Sequence, residues 1–429
     1  MLFKNISVLN ENFTVDENMY VATDGAVIIY IGKEAPQLDY GRVIDGSGKL
    51  LMSAFYNAHT HTPMTLMRGY GENLSLEDWL NTRIFPFEDH LDSNAVYWGT
   101  MLSMAESAKN GIVSSSDMYY FCEDIARAVE ESGLKANISR SIANPFGADV
   151  KTLASLDEMK HLYENYHNTC DGRIKIDISL HAEYTSNRET AEALAEYINL
   201  IKNTIMHIHV SETKFEHEEC IKRHGMTPAA YLADTGLFNV PAIAAHCVYA
   251  TDDDLEIFKE KGVTIALNPV SNMKLASGMT NVANIKKHGV AFAIGTDSVA
   301  SNNSLNFFEE MKVMLLSSKI ANNNPIAISA EEALEAATLT GAKAQGRNDA
   351  GAVKTGNRAD LIMLDMTVPQ LHPVHNMANN LAYSCSGSEI VMTICDGQVI
   401  YENGEYKTID IEKTIFEVEA ATKKILRKL

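Results

Sequence analysis

Eight short apolar runs between residues 49 and 297 constrain this chain more than any other feature. They are 49–59, 112–118, 136–142, 174–181, 205–210, 241–246, 263–268 and 290–297, each followed by a helical stretch or a long loop. Parallel neighbours in a sheet need crossover connections, and helices are the usual ones. Eight such units match the count of a TIM-type (β/α)8 barrel; a doubly wound open sheet is the alternative. Helix signals agree with the alternation. Thr227–Pro228 supplies an N-cap and a first-turn proline, Ser329 to Glu332 forms a capping box, and Gly111, Gly133 and Gly262 mark helix ends.

Polar residues with chemical potential fall at the C-terminal ends of these runs: His59 and His61, Asp117, Arg140, His181, His209, His246, Asn268 and Asp297. A barrel gathers such ends at one mouth, whereas an open sheet strings them along a line. The barrel is therefore the expected core of the fold, an α/β class. Both ends of the chain read differently. Hairpin-like segments surround Asp24–Gly25 and Asp396–Gly397, and "DLIMLDM" (360–366) resembles another strand. They predict a small β-sandwich domain assembled from 1–54 and 350–408, flanking a catalytic barrel over 55–349. An amphipathic helix over 409–429 ends in Lys423, Lys424, Arg427 and Lys428, which suits the negative end of its dipole.

The motif H-T-H at 59–61 carries little information alone. With 14 histidines in 429 residues, an H-x-H arises by chance roughly once in every couple of such chains, and His207 and His209 form a second. Position separates them. Two residues apart on a strand, His59 and His61 share a face and can reach one ion. His209 lies at the rim of its strand, while His207 lies one layer deeper and reads as a hydrogen-bonded core histidine. Asp297 reads either as a turn or cap aspartate or as a fourth, oxygen ligand. In the second case His59, His61, His209 and Asp297 make a His3Asp set with an open position for water. Such a set suits one divalent ion, Zn2+, with Fe2+ or Mn2+ as alternatives. Glu212, three residues beyond His209, is placed to relay a proton, and His246 to stabilise charge on an attacking water.

Composition excludes several classes. A formal net charge of −20 argues against a nucleic-acid partner. No apolar run is long enough to span a membrane, and no basic n-region precedes a signal-like stretch. The six scattered cysteines contain no C-x-x-C pair, which suits reduced thiols in the cytoplasm. A chain of this size is compatible with a homo-oligomer, although no interface can be read from it.

Taken in order, H-T-H-T-P-M-T-L-M-R-G (59–69), L-E-D-W-L…F-P-F-E (76–88), H-x-x-E (209–212), A-A-H-C-V (244–248), N-P-x-S-N-x-K-L (268–275) and G-T-D…A-S-N-N-S-L-N (295–306) resemble the amidohydrolase superfamily. Within it they are most similar to the 5′-methylthioadenosine/S-adenosylhomocysteine deaminase group. The resemblance implies a barrel beside a β-sandwich and one metal on His59, His61, His209 and Asp297. Catalysis would fall to Glu212, His246 and Asp297. Substrate would be bound by Glu88 at the ribose hydroxyls, by Arg140 and His181, and by Glu212 and Asp297 near the purine. His181 ends the fourth strand where dinuclear relatives carry a bridging lysine, which favours one metal. The implied reaction is hydrolytic deamination of an adenine nucleoside.

Two departures stand out. Ser53–Ala54 replaces the Pro-Gly that precedes the first histidine pair in this group. The stretch 141–155 has Lys151 but no second arginine to meet an amino-acid tail. Adenosine and 5′-methylthioadenosine thus stand level with S-adenosylhomocysteine as substrates. Other readings are an aminohydrolase of a guanine, pterin or s-triazine ring and, more remotely, a catalytically silent binding protein.

Overall fold

The computed structural model describes residues 1–37, 40–201 and 203–429. Its parallel strands form two sheets. One runs Phe55–Thr60, Ile112–Tyr119, Lys135–Arg140, Ile174–Ile176; the other runs Ile178–Ala182, Met206–Val210, Ala242–His246, Val263–Leu267, Ala291–Ile294. Two differences from the sequence reading have physical causes. The run 49–59 is two strands, because Ala54 hands the chain from one sheet to another. Lys49–Ser53 pairs antiparallel with Leu361–Asp365, and only Phe55–Thr60 joins the parallel set. The fourth run breaks at Asp177, a buried carboxylate whose two oxygens both accept from the Asn137 side-chain amide at 3.0 Å.

The two parallel sheets meet at both margins. At the break, the Asp177 amide donates to Ile138 and the Ile178 amide to Ile205. At the other margin, Asp297 N–H donates to the His59 carbonyl at 2.9 Å, and Thr296 N–H donates to Asn57 Oδ1 at 3.0 Å. The interior between the sheets is filled by small and polar side chains. Ala58, Ile243, Ala266 and Ala293 pack together, and the Gln345 amide donates to the Asn57 carbonyl.

Both ends of the chain build one nine-stranded sheet. Its order is Glu405–Tyr406, Gln398–Glu402, Ile390–Cys395, Leu361–Asp365, Lys49–Ser53, Leu2–Leu9, Val15–Asp24, Val27–Gly32, with Val43–Asp45 beside Leu2–Leu9. The hairpins at Asp24–Gly25 and Asp396–Gly397 are present, and Gly25 and Gly397 both have positive φ. A buried ion cluster ties this sheet to the parallel strands. Lys135 and the Tyr56 hydroxyl both reach the Asp360 carboxylate, and Lys135 also meets Asp396 at 2.8 Å. The last helix, Ile411–Leu426, is capped by Asp410 and lies against Ser93–Lys109. Among the described residues no helix is long and apolar enough to cross a membrane.

Candidate active site

Five histidine rings converge where the parallel strands end. His59 closes the first strand, fully buried, and His61 follows in the turn. That turn is pinned by Asp117, which accepts from the Thr62 amide at 3.0 Å and from the Thr62 hydroxyl. Each ring is oriented through Nδ1. His61 donates to the Met118 carbonyl at 2.6 Å, His209 to the His181 carbonyl at 2.7 Å, and His246 to Asn272 Oδ1 at 2.7 Å. His59 Nδ1 meets His207 Nε2 at 2.8 Å. His207 is therefore a buried support for His59, as its deeper position predicts. With the Nδ1 atoms of His59, His61, His209 and His246 committed, their Nε2 atoms are left to face one another, the arrangement that metal-binding imidazoles adopt.

Asp297 completes the cluster from the eighth strand. Its backbone is left-handed, φ 57°, which turns the side chain inward. Oδ2 accepts from the hydroxyls of Ser271 and Ser301 at 2.6 and 3.0 Å, while Oδ1 lies 3.3 Å from His61 Nε2 and 3.6 Å from His59 Nε2. Gly295 makes this closeness possible, since a Cβ there would sit 2.9 Å from the His59 carbonyl and collide with Asn268.

Charge follows from burial and from Asp297. Burial, aided by the neighbouring His61 and His246, drives His59 down to about 3 against the pull of Asp297. For His61, burial is outweighed by the Asp297 carboxylate, and its pKa rises to about 9. Asp297 is itself held well below the usual carboxylate range, because His59 and His61 outweigh its desolvation. The site thus draws positive charge to itself. Donor atoms of His59, His61 and Asp297 lie within 4.8 Å of one another, as do those of His59, His209 and His246. The buried His59 Nε2 has no hydrogen-bond partner among the described residues. A soft-to-borderline cation with nitrogen and oxygen donors fits this set.

Above the cluster opens a cleft. Glu212, His246, Asp297 and His181 line its polar floor, and Trp79, Leu80 and Phe85 belong to its apolar wall. Glu212 lies 3.8 Å from His246 Nε2, and burial raises its pKa. His181 is driven down to about 4 by burial and is neutral, bonded through Nδ1 to the Thr185 hydroxyl at 3.0 Å. Glu88, which sequence pattern alone reads as a surface helix residue, instead lines the cleft beside Tyr119, and burial pushes it up to about 7. Arg140 is not in this lining. It faces an adjoining cavity, where it pairs with Glu158 and donates to the Ser141 carbonyl.

Several supporting residues escape the sequence reading. Glu216 accepts from the backbone amides of Ser211 and Glu212 at 2.9 and 2.7 Å, fixing the turn that presents Glu212. A signal for it exists. Thr213 to Glu216 is a T-x-x-E capping pattern, and Thr213 does cap the helix Lys214–His224. Ser271, Ser301 and Asn272 carry no comparable signal, since hydroxyl and amide side chains are common in loops.

Residues 50–400 match the profile of the amidohydrolase family. The chain belongs to that family. This amidohydrolase is 40% identical, over the full length of both chains, to a 5-methylthioadenosine/S-adenosylhomocysteine deaminase of Thermoanaerobacter pseudethanolicus. It is 37% identical to a 5′-deoxyadenosine deaminase of Methanosphaera stadtmanae, with 99% of each chain covered. A zinc-bound adenosine deaminase from Xanthomonas campestris superposes with a TM-score of 0.93 at 28% identity, covering 100% of this chain and 98% of that one. The amidohydrolase therefore stands within the 5′-methylthioadenosine/S-adenosylhomocysteine deaminase group, a set of hydrolases acting on C–N bonds.

Proposed function

We propose that this amidohydrolase hydrolyses the 6-amino group of adenine nucleosides, among them 5′-methylthioadenosine, S-adenosylhomocysteine and adenosine, to give the hypoxanthine nucleoside and ammonia. One observation carries the reading: Glu88, a carboxylate able to accept from two vicinal hydroxyls, shares a single cleft with the histidine cluster and Glu212. A heteroaromatic base without a sugar offers no diol for it to hold.

His59, His61, His209 and Asp297 would hold one divalent ion, Zn2+ by analogy with the Xanthomonas relative. Bound there, the ion supplies Lewis acidity that lowers the pKa of a water to about 7. Glu212, its pKa raised by burial, takes the proton of the attacking water and delivers one to N1 of the purine. His246 is held by Asn272 with its Nε2 toward Glu212, so it can steady the oxygen that adds to C6. Asp297 accepts the remaining proton and passes it to the departing amine. His181, neutral in the cleft, offers a hydrogen bond to the purine. Glu88 anchors the ribose and contributes orientation away from the reacting carbon.

The proposal extends to the architecture. The parallel strands form a (β/α)8 barrel over 55–349, supported by the hydrogen bonds that join the sheets at both margins. The terminal sheet folds over into a β-sandwich from 1–54 and 350–408. In support, Phe3, Val21, Ile28, Leu361 and Met392, all from that one sheet, share a buried core. Six free thiols fit a reducing, cytoplasmic setting.

Ammonia release from a panel of adenosine, 5′-methylthioadenosine, 5′-deoxyadenosine, S-adenosylhomocysteine, guanine and cytosine tests the reading. Release from the adenine nucleosides is expected; release from guanine alone would sink it.

A further inference from the structure

Beside the catalytic cleft lies a second, open cavity, and Tyr120 lines both. The two are arranged outward from the histidine cluster. The rings of His61 and Tyr119 are 6.4 Å apart, those of Tyr119 and Tyr120 are 5.0 Å apart, and the Arg140 guanidinium lies 5.0 Å from the centre of the Tyr120 ring. A nucleoside with its purine at the cluster and its ribose at Glu88 has Tyr120 and Arg140 within this outward line, where a 5′ substituent that leaves the cleft past Tyr120 would meet them.

Arg140 does not wait there as a free cation. Its Nε pairs with Glu158 on the helix Ala154–Tyr166, Nη1 donates to the Ser141 carbonyl, and Tyr120 covers one face. The remaining carboxyl and imidazole groups on this cavity are Glu123, Asp124, Asp157 and His161. Glu123 meets His161, Asp124 meets Arg127, and Asp157 meets Lys160, so none offers a spare positive group. A carboxylate-bearing tail that reaches Arg140 must displace Glu158 from it and then lie beside the displaced carboxylate.

From this competition we infer that Glu158 determines 5′-substituent selectivity, favouring uncharged substituents over those that carry a carboxylate. The inference rests on the adenine-nucleoside reading given above. Glu158 acts through Arg140 and is a positioning residue. Its side chain is 54% exposed, so the pair is screened and its effect is moderate.

The test is the ratio of kcat/KM for S-adenosylhomocysteine to that for 5′-methylthioadenosine. Glu158→Gln is expected to raise this ratio about five- to tenfold, with the gain in KM rather than kcat. In the double variant R140M/E158Q the gain disappears. A ratio within twofold of wild type in E158Q, or a gain that survives R140M/E158Q, overturns the role of Glu158 while nucleoside deamination stands. Absence of ammonia release from every adenine nucleoside overturns both.

Discussion

At the scale of single residues, the site separates holding from reacting. Glu212 touches no proposed ligand atom of the metal, so Glu212→Gln is expected to lower kcat about 10²- to 10⁴-fold while metal content, measured by elemental analysis, stays at the wild-type level. Glu88 makes a pH prediction. Its carboxyl, raised to about 7 by burial, must be ionised to accept the ribose hydroxyls. Ionisation falls from about nine-tenths at pH 8 to about one-tenth at pH 6 for a pKa near 7, so KM for nucleosides is expected to rise roughly tenfold over that interval. Glu88→Gln should flatten this profile. Linkage runs the other way: the unfolded glutamate ionises near its ordinary value and the folded one near 7. Glu88 therefore costs stability increasingly as pH climbs through that window. The four residues proposed to hold metal were legible in the sequence because each terminates or follows an apolar strand. Glu88 was legible only through family resemblance, since helix periodicity near Trp79 does not say which side faces a cleft. Arg140 was placed correctly at a strand end. Its direction, into the neighbouring cavity and onto Glu158, depends on a helix that strand periodicity cannot see.

At the scale of elements, close approach matters more than propensity. Gly295 lets the eighth strand meet the first, and Gly295→Ala would force a Cβ against the His59 carbonyl. Overpacking of this kind costs about 1–3 kcal/mol. The same shift moves both His59 and Asp297, so a lowered metal stoichiometry is expected alongside the lowered melting temperature. If the alanine variant binds a full equivalent of metal, the close contact is not what sets the site. Apolar patterning found the strands but not their sheet membership. Leu50 to Met52 and Phe55 to Ala58 form one nearly continuous buried stretch, and nothing in hydrophobicity marks the handover at Ala54. Asp177 interrupts the fourth run by a buried amide–carboxylate contact with Asn137, 40 residues earlier, which local pattern cannot anticipate.

At the scale of the molecule, two ties hold the parts together. The first is the cluster of Lys135, Asp360, Asp396 and Tyr56 between the parallel strands and the terminal sheet. Asp360→Ala leaves Lys135 buried without its main partner, a loss worth about 3–5 kcal/mol, to be read as a lowered midpoint in denaturant unfolding. The second is the metal itself. An ion bound to the folded chain alone stabilises it by about 4 kcal/mol at a free concentration a thousandfold above its dissociation constant. Chelation is thus expected to lower the melting temperature by several degrees and abolish ammonia release, with both restored by Zn2+.

The pairing of Leu51 with Met363 spans roughly 310 residues. During synthesis at about 5–20 residues per second, the amino-terminal strands emerge some 15–60 seconds before their central partner exists. For that interval an apolar edge stands open at Leu50 to Met52, a surface suited to pairing with other nascent chains. The parallel strands and their helices can be made, and begin to pack, in the meantime. A chain cut short before Leu361 keeps every residue of its histidine cluster and never closes that edge. Its fate is a matter for chaperones and proteases rather than for catalysis.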